Sequence, residues 1–97
     1  MKPSEALRTI RLRAADSQHV VFLRHAQTRM RSRRIDALQV MRCLQRGIVT
    51  EGPYRDIKSG QWRCNLEAKA GGGWLRVVVE IPDEPPLLEV ITVIGLE

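Results

Sequence analysis

The sequence predicts an α+β domain in which two or three N-terminal helices pack on one face of a twisted antiparallel sheet of about four strands. Three observations carry that expectation. Apolar residues recur with a helical period up to Gly47. Beyond Gly47 the period falls to two, as in half-buried strands. A run of three glycines, Gly71-Gly72-Gly73, then separates two of the alternating segments at the spacing of a hairpin.

At 97 residues the chain forms one domain, small enough that its apolar side chains must be placed economically. The first helix is expected from Pro3-Ser4 through about residue 15, with Leu7, Ile10 and Ala14 on one face and Arg8 and Arg11 off it. The stretch VVFL, residues 20 to 23, is β-branched and aromatic and reads as a brief extended segment. RHAQTRMRSRR, residues 24 to 34, reads as a second helix, interrupted at Ile35-Asp36. Asp36 is a good N-cap and Gln39 completes a capping box, so a third helix starts there, with Ala37, Val40, Met41 and Leu44 at i, i+3, i+4 and i+7. Gly47 is the expected C′ residue.

Four strands are expected after it. Ile48 to Thr50 forms a short one ending near Gly52-Pro53. Trp62, Cys64, Leu66 and Ala68 alternate with polar neighbours in the second. WLRVVVEI follows the glycine turn, with Leu75, Val77, Val79 and Ile81 on one face and Trp74, Arg76, Val78 and Glu80 on the other. Pro82 to Pro86 ends that strand, and LLEVITVIG is so continuously apolar that it is expected to be covered on both sides.

Charge is divided unevenly. The formal net charge is +5, with 13 arginines among the 16 basic residues. Residues 1 to 46 carry eleven basic and three acidic side chains, whereas residues 47 to 97 carry five basic and eight acidic ones. Arginine forks onto phosphate and stacks on bases, so this distribution favours a nucleic-acid partner, with a plain solvated surface as the alternative. Cys43 and Cys64 are read as buried free thiols of a reducing cytoplasm, because neither they nor His19 and His25 show zinc-ligand spacing. No cofactor is expected. No stretch reads as a membrane span, and the basic, amphipathic N-terminus reads as an ordinary helix rather than a targeting segment, since Glu5 and Asp16 are atypical of one.

RHAQTRMRSRR holds five arginines and one histidine in eleven positions. On a helix, His25, Arg29 and Arg33 form a narrow row beside Ala26 and Met30, while Arg24, Arg31 and Arg34 point elsewhere. If Ala26 and Met30 face the sheet, the row lies at the rim of a helix–sheet junction. A histidine that exchanges a proton near neutral pH, next to fixed cations that neutralise a phosphate, is what metal-independent RNA cleavage requires. Arg63 and Arg76 are further candidate cations, and Thr92 is a candidate positioning hydroxyl. The ordinary alternatives are a capping or packing histidine, arginines that only bind phosphate or carboxylate, and a threonine satisfied within its own strand.

HAQTRMRSRRI, the capped helix ending in QRGIV, and the strands WLRVVVEI and VITVIG together resemble a bacterial family, the domain of unknown function numbered 4258, over about residues 20 to 95. By position, that resemblance puts the family's polar signature on His25, Arg29, Arg33 and Thr92. It puts Arg34 where the family usually has glycine, which implies a differently shaped turn between the helices. The family looks like the RelE/barnase-type ribonuclease fold of toxin–antitoxin systems. The resemblance therefore implies a toxin-type endoribonuclease with RNA as substrate and an antitoxin-like protein partner. Fold alone does not establish that activity. The competing expectation is a non-catalytic module binding RNA, DNA or an acidic protein through the same arginines.

Overall fold

In the computed structural model, which describes residues 1–96, helix α1 (Pro3–Arg13) leads through a single 3₁₀ turn (Ser17–His19) into a short strand, β1 (Val20–Phe22). Helices α2 (Arg24–Arg33) and α3 (Ala37–Arg46) follow, and then four strands, β2 (Ile48–Arg55), β3 (Trp62–Ala70), β4 (Gly73–Ile81) and β5 (Leu88–Leu96). The fold is α+β, as the periodicities indicate, but the sheet has five strands in the order β1-β5-β4-β3-β2. VVF is the fifth strand. It joins β5 in parallel, with Val20 opposite Leu88 and Phe22 opposite Val90, so the sheet is mixed rather than purely antiparallel. Three residues carry no usable alternation signal, and a parallel partner some seventy positions away leaves no trace in local sequence.

Alternation places Cys64 and Leu66 of β3, Leu75, Val77, Val79 and Ile81 of β4, and Leu88, Val90 and Val93 of β5 on one face, where the helices cover them. Ala6 and Ile10 of α1 with Ala14 just past its end, Ala26 of α2, and Val40, Met41, Cys43 and Leu44 of α3 complete that core. Ile10 and Ala14 are buried as the expected stripe requires, and only its first member differs, with Ala6 fully buried and Leu7 half-buried against the core. Two arginines anchor this helix. Arg11 donates to the carbonyls of Gln45 and Gly47, and Arg13 donates to those of Pro82 and Leu87 at 2.6 and 2.7 Å. Gln45 returns a bond to the Ala14 carbonyl at 3.2 Å.

The capping box at α3 forms as expected: Asp36 accepts from the Gln39 backbone N–H at 2.8 Å and Gln39 Oε1 accepts from the Asp36 N–H at 2.9 Å. Gly47 ends the helix for a different reason from the one expected. Its φ is −74°, an ordinary value, and a Cβ there would lie 2.5 Å from the Cys43 carbonyl oxygen and 2.8 Å from that of Glu67. Glycine is required by close approach to β3, not by a left-handed turn. At the β3–β4 hairpin Gly71 and Gly72 both have positive φ, 61° and 88°, and Ala70 pairs with Gly73 across a two-residue loop. Strand β2 runs to Arg55, past the end expected near Gly52-Pro53, by accommodating register shifts between Val49 and Glu51 and between Glu51 and Tyr54.

Arg34 caps α2 in the left-handed conformation, with φ 55° and ψ 44°. The turn therefore has a glycine-like backbone although arginine occupies it. A left-handed non-glycine residue costs about 1–2 kcal/mol, while glycine loses more chain entropy on folding, about 0.5–1 kcal/mol. Arg34→Gly is expected to raise stability by up to about 1 kcal/mol, a gain of a few degrees in Tm by thermal denaturation. An unchanged or lowered Tm contradicts the strain.

Burial pushes the Cys43 thiol up to about 12, helped by Glu67, and the Cys64 thiol up to about 11. A thiol whose pKa is raised by folding stabilises the fold fully below its unfolded value, near 9.0, and loses that contribution as pH rises through 11 to 12. Native protein at pH 8 is expected to resist a thiol-directed reagent at both positions and to be labelled at both once denatured. Rapid stoichiometric labelling of the native fold would refute the burial of the thiols.

Candidate functional site

Helix α2 forms from good helix formers, Arg, Ala, Gln and Met, but little else favours it. Its N-cap is Leu23, which offers no side-chain acceptor, and its first turn holds Arg24 and His25, cations or potential cations at the positive end of the macrodipole. Local bonds help: Gln27 Nε2 donates to the Phe22 carbonyl at 2.8 Å and Thr28 Oγ1 to that of Arg24 at 3.1 Å. The decisive contact is tertiary. Ala26 is fully buried and Met30 half-buried against the core, which seats the helix on β5.

With that seam inward, His25, Arg29 and Arg33 stand exposed one turn apart along the helix, as the spacing requires. Arg24, Arg31 and Arg34 are exposed on its other faces, and α3 adds exposed Arg42 and Arg46. Among the described residues none of these eight side chains forms a hydrogen bond or an ion pair. The only acidic side chain on the two helices and the turn between them is Asp36, whose carboxylate caps α3. The helical hairpin is an electropositive surface with its guanidinium groups free.

The row does not converge on a single hollow. A hollow of about 410 Å³ beside α2 is lined by Phe22, Gln27, Met30, Arg31, Ile35 and Ala37. Arg33 belongs to another, of about 290 Å³, lined also by Ile35, Gln39, Trp74 and the glycines of the β3–β4 turn. His25 and Arg29 line neither. Thr92 lies on the sheet face away from the helices. A register shift between Val90 and Thr92 sets Thr92 opposite Val78, and Val93 takes its place in the core. The residue is half-buried, and its hydroxyl is unbonded among the described residues.

Arg63 and Arg76, expected as further free cations, are held by carboxylates on that uncovered sheet face. Arg63 donates through Nε to Glu80 Oε2 at 2.8 Å and forms an ion pair with the same oxygen through Nη2 at 2.6 Å, with Asp56 at 3.7 Å. Burial works against its charge, but the hydrogen bond and charge of Glu80, with Asp56 and Tyr54, outweigh it and raise its pKa. Arg76 donates to Glu67 Oε2 at 2.9 Å, where Thr50 Oγ1 donates as well at 3.0 Å.

The sequence reading passed over the acidic half of this network. Glu80 and Glu89 face each other across β4 and β5, an arrangement that repels. Gln61 Nε2 bridges them, donating at 2.9 Å to an oxygen of each, and Glu80 is only 3% exposed. The signal that could have revealed it is the strand register, which sets Arg63 directly opposite Glu80 and Glu67 opposite Arg76. Asp56 has a lowered pKa through the backbone N–H groups of Ser59 and Lys58 and the charge of Arg63, so the loop it organises loses that support only as pH falls below the usual carboxylate range.

Among the described residues no group of three or more His, Cys, Asp or Glu side chains is placed to hold a metal ion, and no helix is long and apolar enough to cross a membrane. No curated protein and no solved structure matches the chain. A family model does match, over residues 22–94, from the end of β1 through most of β5. The free arginine helix, the capped α3 and the strand meander all fall within that span, and the chain belongs to the family described as Domain of unknown function (DUF4258).

Proposed function

We propose that this domain acts on RNA, with α2 gripping the sugar–phosphate backbone and His25 supporting a metal-independent cleavage of toxin type. The observation that carries the reading is the row of His25, Arg29 and Arg33, exposed and unpaired on a helix seated by Ala26 and Met30. Cations that serve the fold are engaged in this molecule, as Arg11, Arg13, Arg63 and Arg76 are. Those on α2 are not, although like charges four residues apart, as at Arg29 and Arg33, destabilise an isolated helix.

In the proposed step the His25 imidazole accepts the proton of a ribose 2′-hydroxyl. The 2′ oxygen bonds to the adjacent phosphorus as the bond to the 5′ oxygen breaks, leaving a 2′,3′-cyclic phosphate. The proton returns to the departing 5′ oxygen. Arg29 and Arg33 neutralise the charge that grows on the phosphate oxygens. Thr92 lies on the opposite sheet face, so the reading rests on the helix alone. An antitoxin-like protein covering the same arginines is the partner such an activity calls for.

Wild-type protein is expected to cut a labelled unstructured RNA in the presence of a chelator, and His25→Ala to cut it about a hundredfold more slowly or worse. Equal inertness of the two toward several RNAs would sink the cleavage.

A second reading, binding without cleavage, is favoured by the division of the surface into two hollows, with Arg31 in one and Arg33 in the other. Either way RNA affinity is expected to fall steeply with salt, and Arg29→Gln or Arg33→Gln each to lower the magnitude of the log–log slope by about 0.7 to 1. Titrations at several salt concentrations measure it, and a slope near zero rules out a phosphate-binding surface.

A further inference from the structure

We propose that the hollow on the flank of α2 away from the histidine row is a docking surface for an acidic, amphipathic helical segment of a partner protein, whose apolar side chains enter the hollow and whose carboxylates meet Arg24 and Arg31. At about 100° per residue, the seam of Ala26 and Met30 divides α2 into two flanks. His25, Arg29 and Arg33 lie on one, and Arg24, Gln27 and Arg31 lie on the other, at i, i+3 and i+7. The surface is thus separate from the row assigned to RNA and stands whether or not RNA is cut.

The floor of the hollow is apolar. Phe22 at the end of β1, Met30 of α2 and Ile35 of the turn pack on the core yet stay only half-buried, and Ala37 at the start of α3 is exposed. With about 410 Å³, this is the larger of the two hollows that border α2. Two polar side chains complete its lining. Gln27 is already engaged, its Nε2 donating to the Phe22 carbonyl, so Arg31 brings the free charge. A sugar–phosphate backbone gains nothing from such a floor, whereas an exposed apolar patch rimmed by polar groups marks a protein-binding surface.

Charge selects the partner. Arg24 and Arg31 are exposed, and neither side chain is paired among the described residues. Asp36, the only acid on the helical hairpin, is held by its bond to the Gln39 backbone N–H. Carboxylates accept from guanidinium groups in a fork, and arginine is among the commonest anchors of protein interfaces. Arg24 and Arg31 are seven residues apart, about 10 Å along the helix axis. A partner helix laid along this flank matches that separation with Asp or Glu at i and i+7, and apolar side chains at i+3 and i+4 then fall between them, over the hollow.

The test pans a phage library of short random peptides on the full chain, with Ala37→Glu for counter-selection. Ala37 is exposed at the first position of α3, where an acid suits the helix dipole, so this variant is expected to keep the wild-type Tm while putting a negative charge in the hollow. Enriched peptides are expected to carry acidic residues flanking apolar ones at helical spacing. In titrations of a synthetic peptide of enriched sequence, Arg31→Glu and Ala37→Glu are each expected to weaken binding about tenfold or more, Arg31→Lys to weaken it less, and Arg29→Gln, on the other flank, to leave it unchanged. Enrichment of no peptide, or of basic or uncharged ones, overturns the proposal, as does binding that ignores Arg31→Glu and Ala37→Glu. A concentration-dependent dimer in sedimentation that Ala37→Glu abolishes makes the occupant a second copy, and RNA affinity that falls as far as peptide affinity in Ala37→Glu makes the flank a general polyanion surface; either result also overturns it.

Discussion

The seating of α2 on β5 through Ala26 and Met30 is the contact on which the character of this molecule depends. A ten-residue helix with an apolar N-cap, a cation in its first turn and arginines in its last would be marginal in water. Burying one narrow seam supplies the missing stability and leaves the remaining circumference free of any packing duty. Helix α3 meets the opposite demand. It buries Val40, Met41, Cys43 and Leu44, and it is capped at both ends by its own residues. One helix holds the core together while the other rides on it and presents charge.

Eleven of the thirteen arginines fall into three groups that composition alone treats as one. Arg11 and Arg13 donate to backbone carbonyls and bind α1 to the end of α3 and to the turn before β5. These bonds make α1 part of this fold although it lies outside the span matched by the family. Arg63 and Arg76 lie over the uncovered sheet face, where Glu80 and Glu67 accept from them and their stems shield the strands. The arginines of α2 and α3 have neither kind of partner. Free guanidinium groups are thus concentrated on one helical hairpin, and the engaged ones are distributed through the rest of the chain.

The uncovered sheet face shows how a small domain manages without a second layer. No helix packs over Asn65, Val78 or Glu80, yet all three are buried. Opposite charges set across from one another, and an amide between two carboxylates, let long polar side chains cover the strands in place of apolar ones. Among the described residues no buried side-chain nitrogen or oxygen is left without a partner, the condition such a face must meet.

Local chemistry was legible in the sequence: the capping box of Asp36 and Gln39, the glycine hairpin, the alternation of β3 and β4, and the row formed by His25, Arg29 and Arg33. These depend on residues within a turn or two of each other, so periodicity and side-chain type determine them. Tertiary structure decided what depends on partners distant in the chain. It paired VVF with β5 and completed a five-stranded mixed sheet. It inserted the register shift that turns Thr92 out of the core, which strict alternation cannot anticipate. It engaged Arg63 and Arg76, and it left His25 and Arg29 outside the hollow that Arg33 borders. A pattern read along one strand records which faces are apolar; only the folded chain brings the second group of each pair into place.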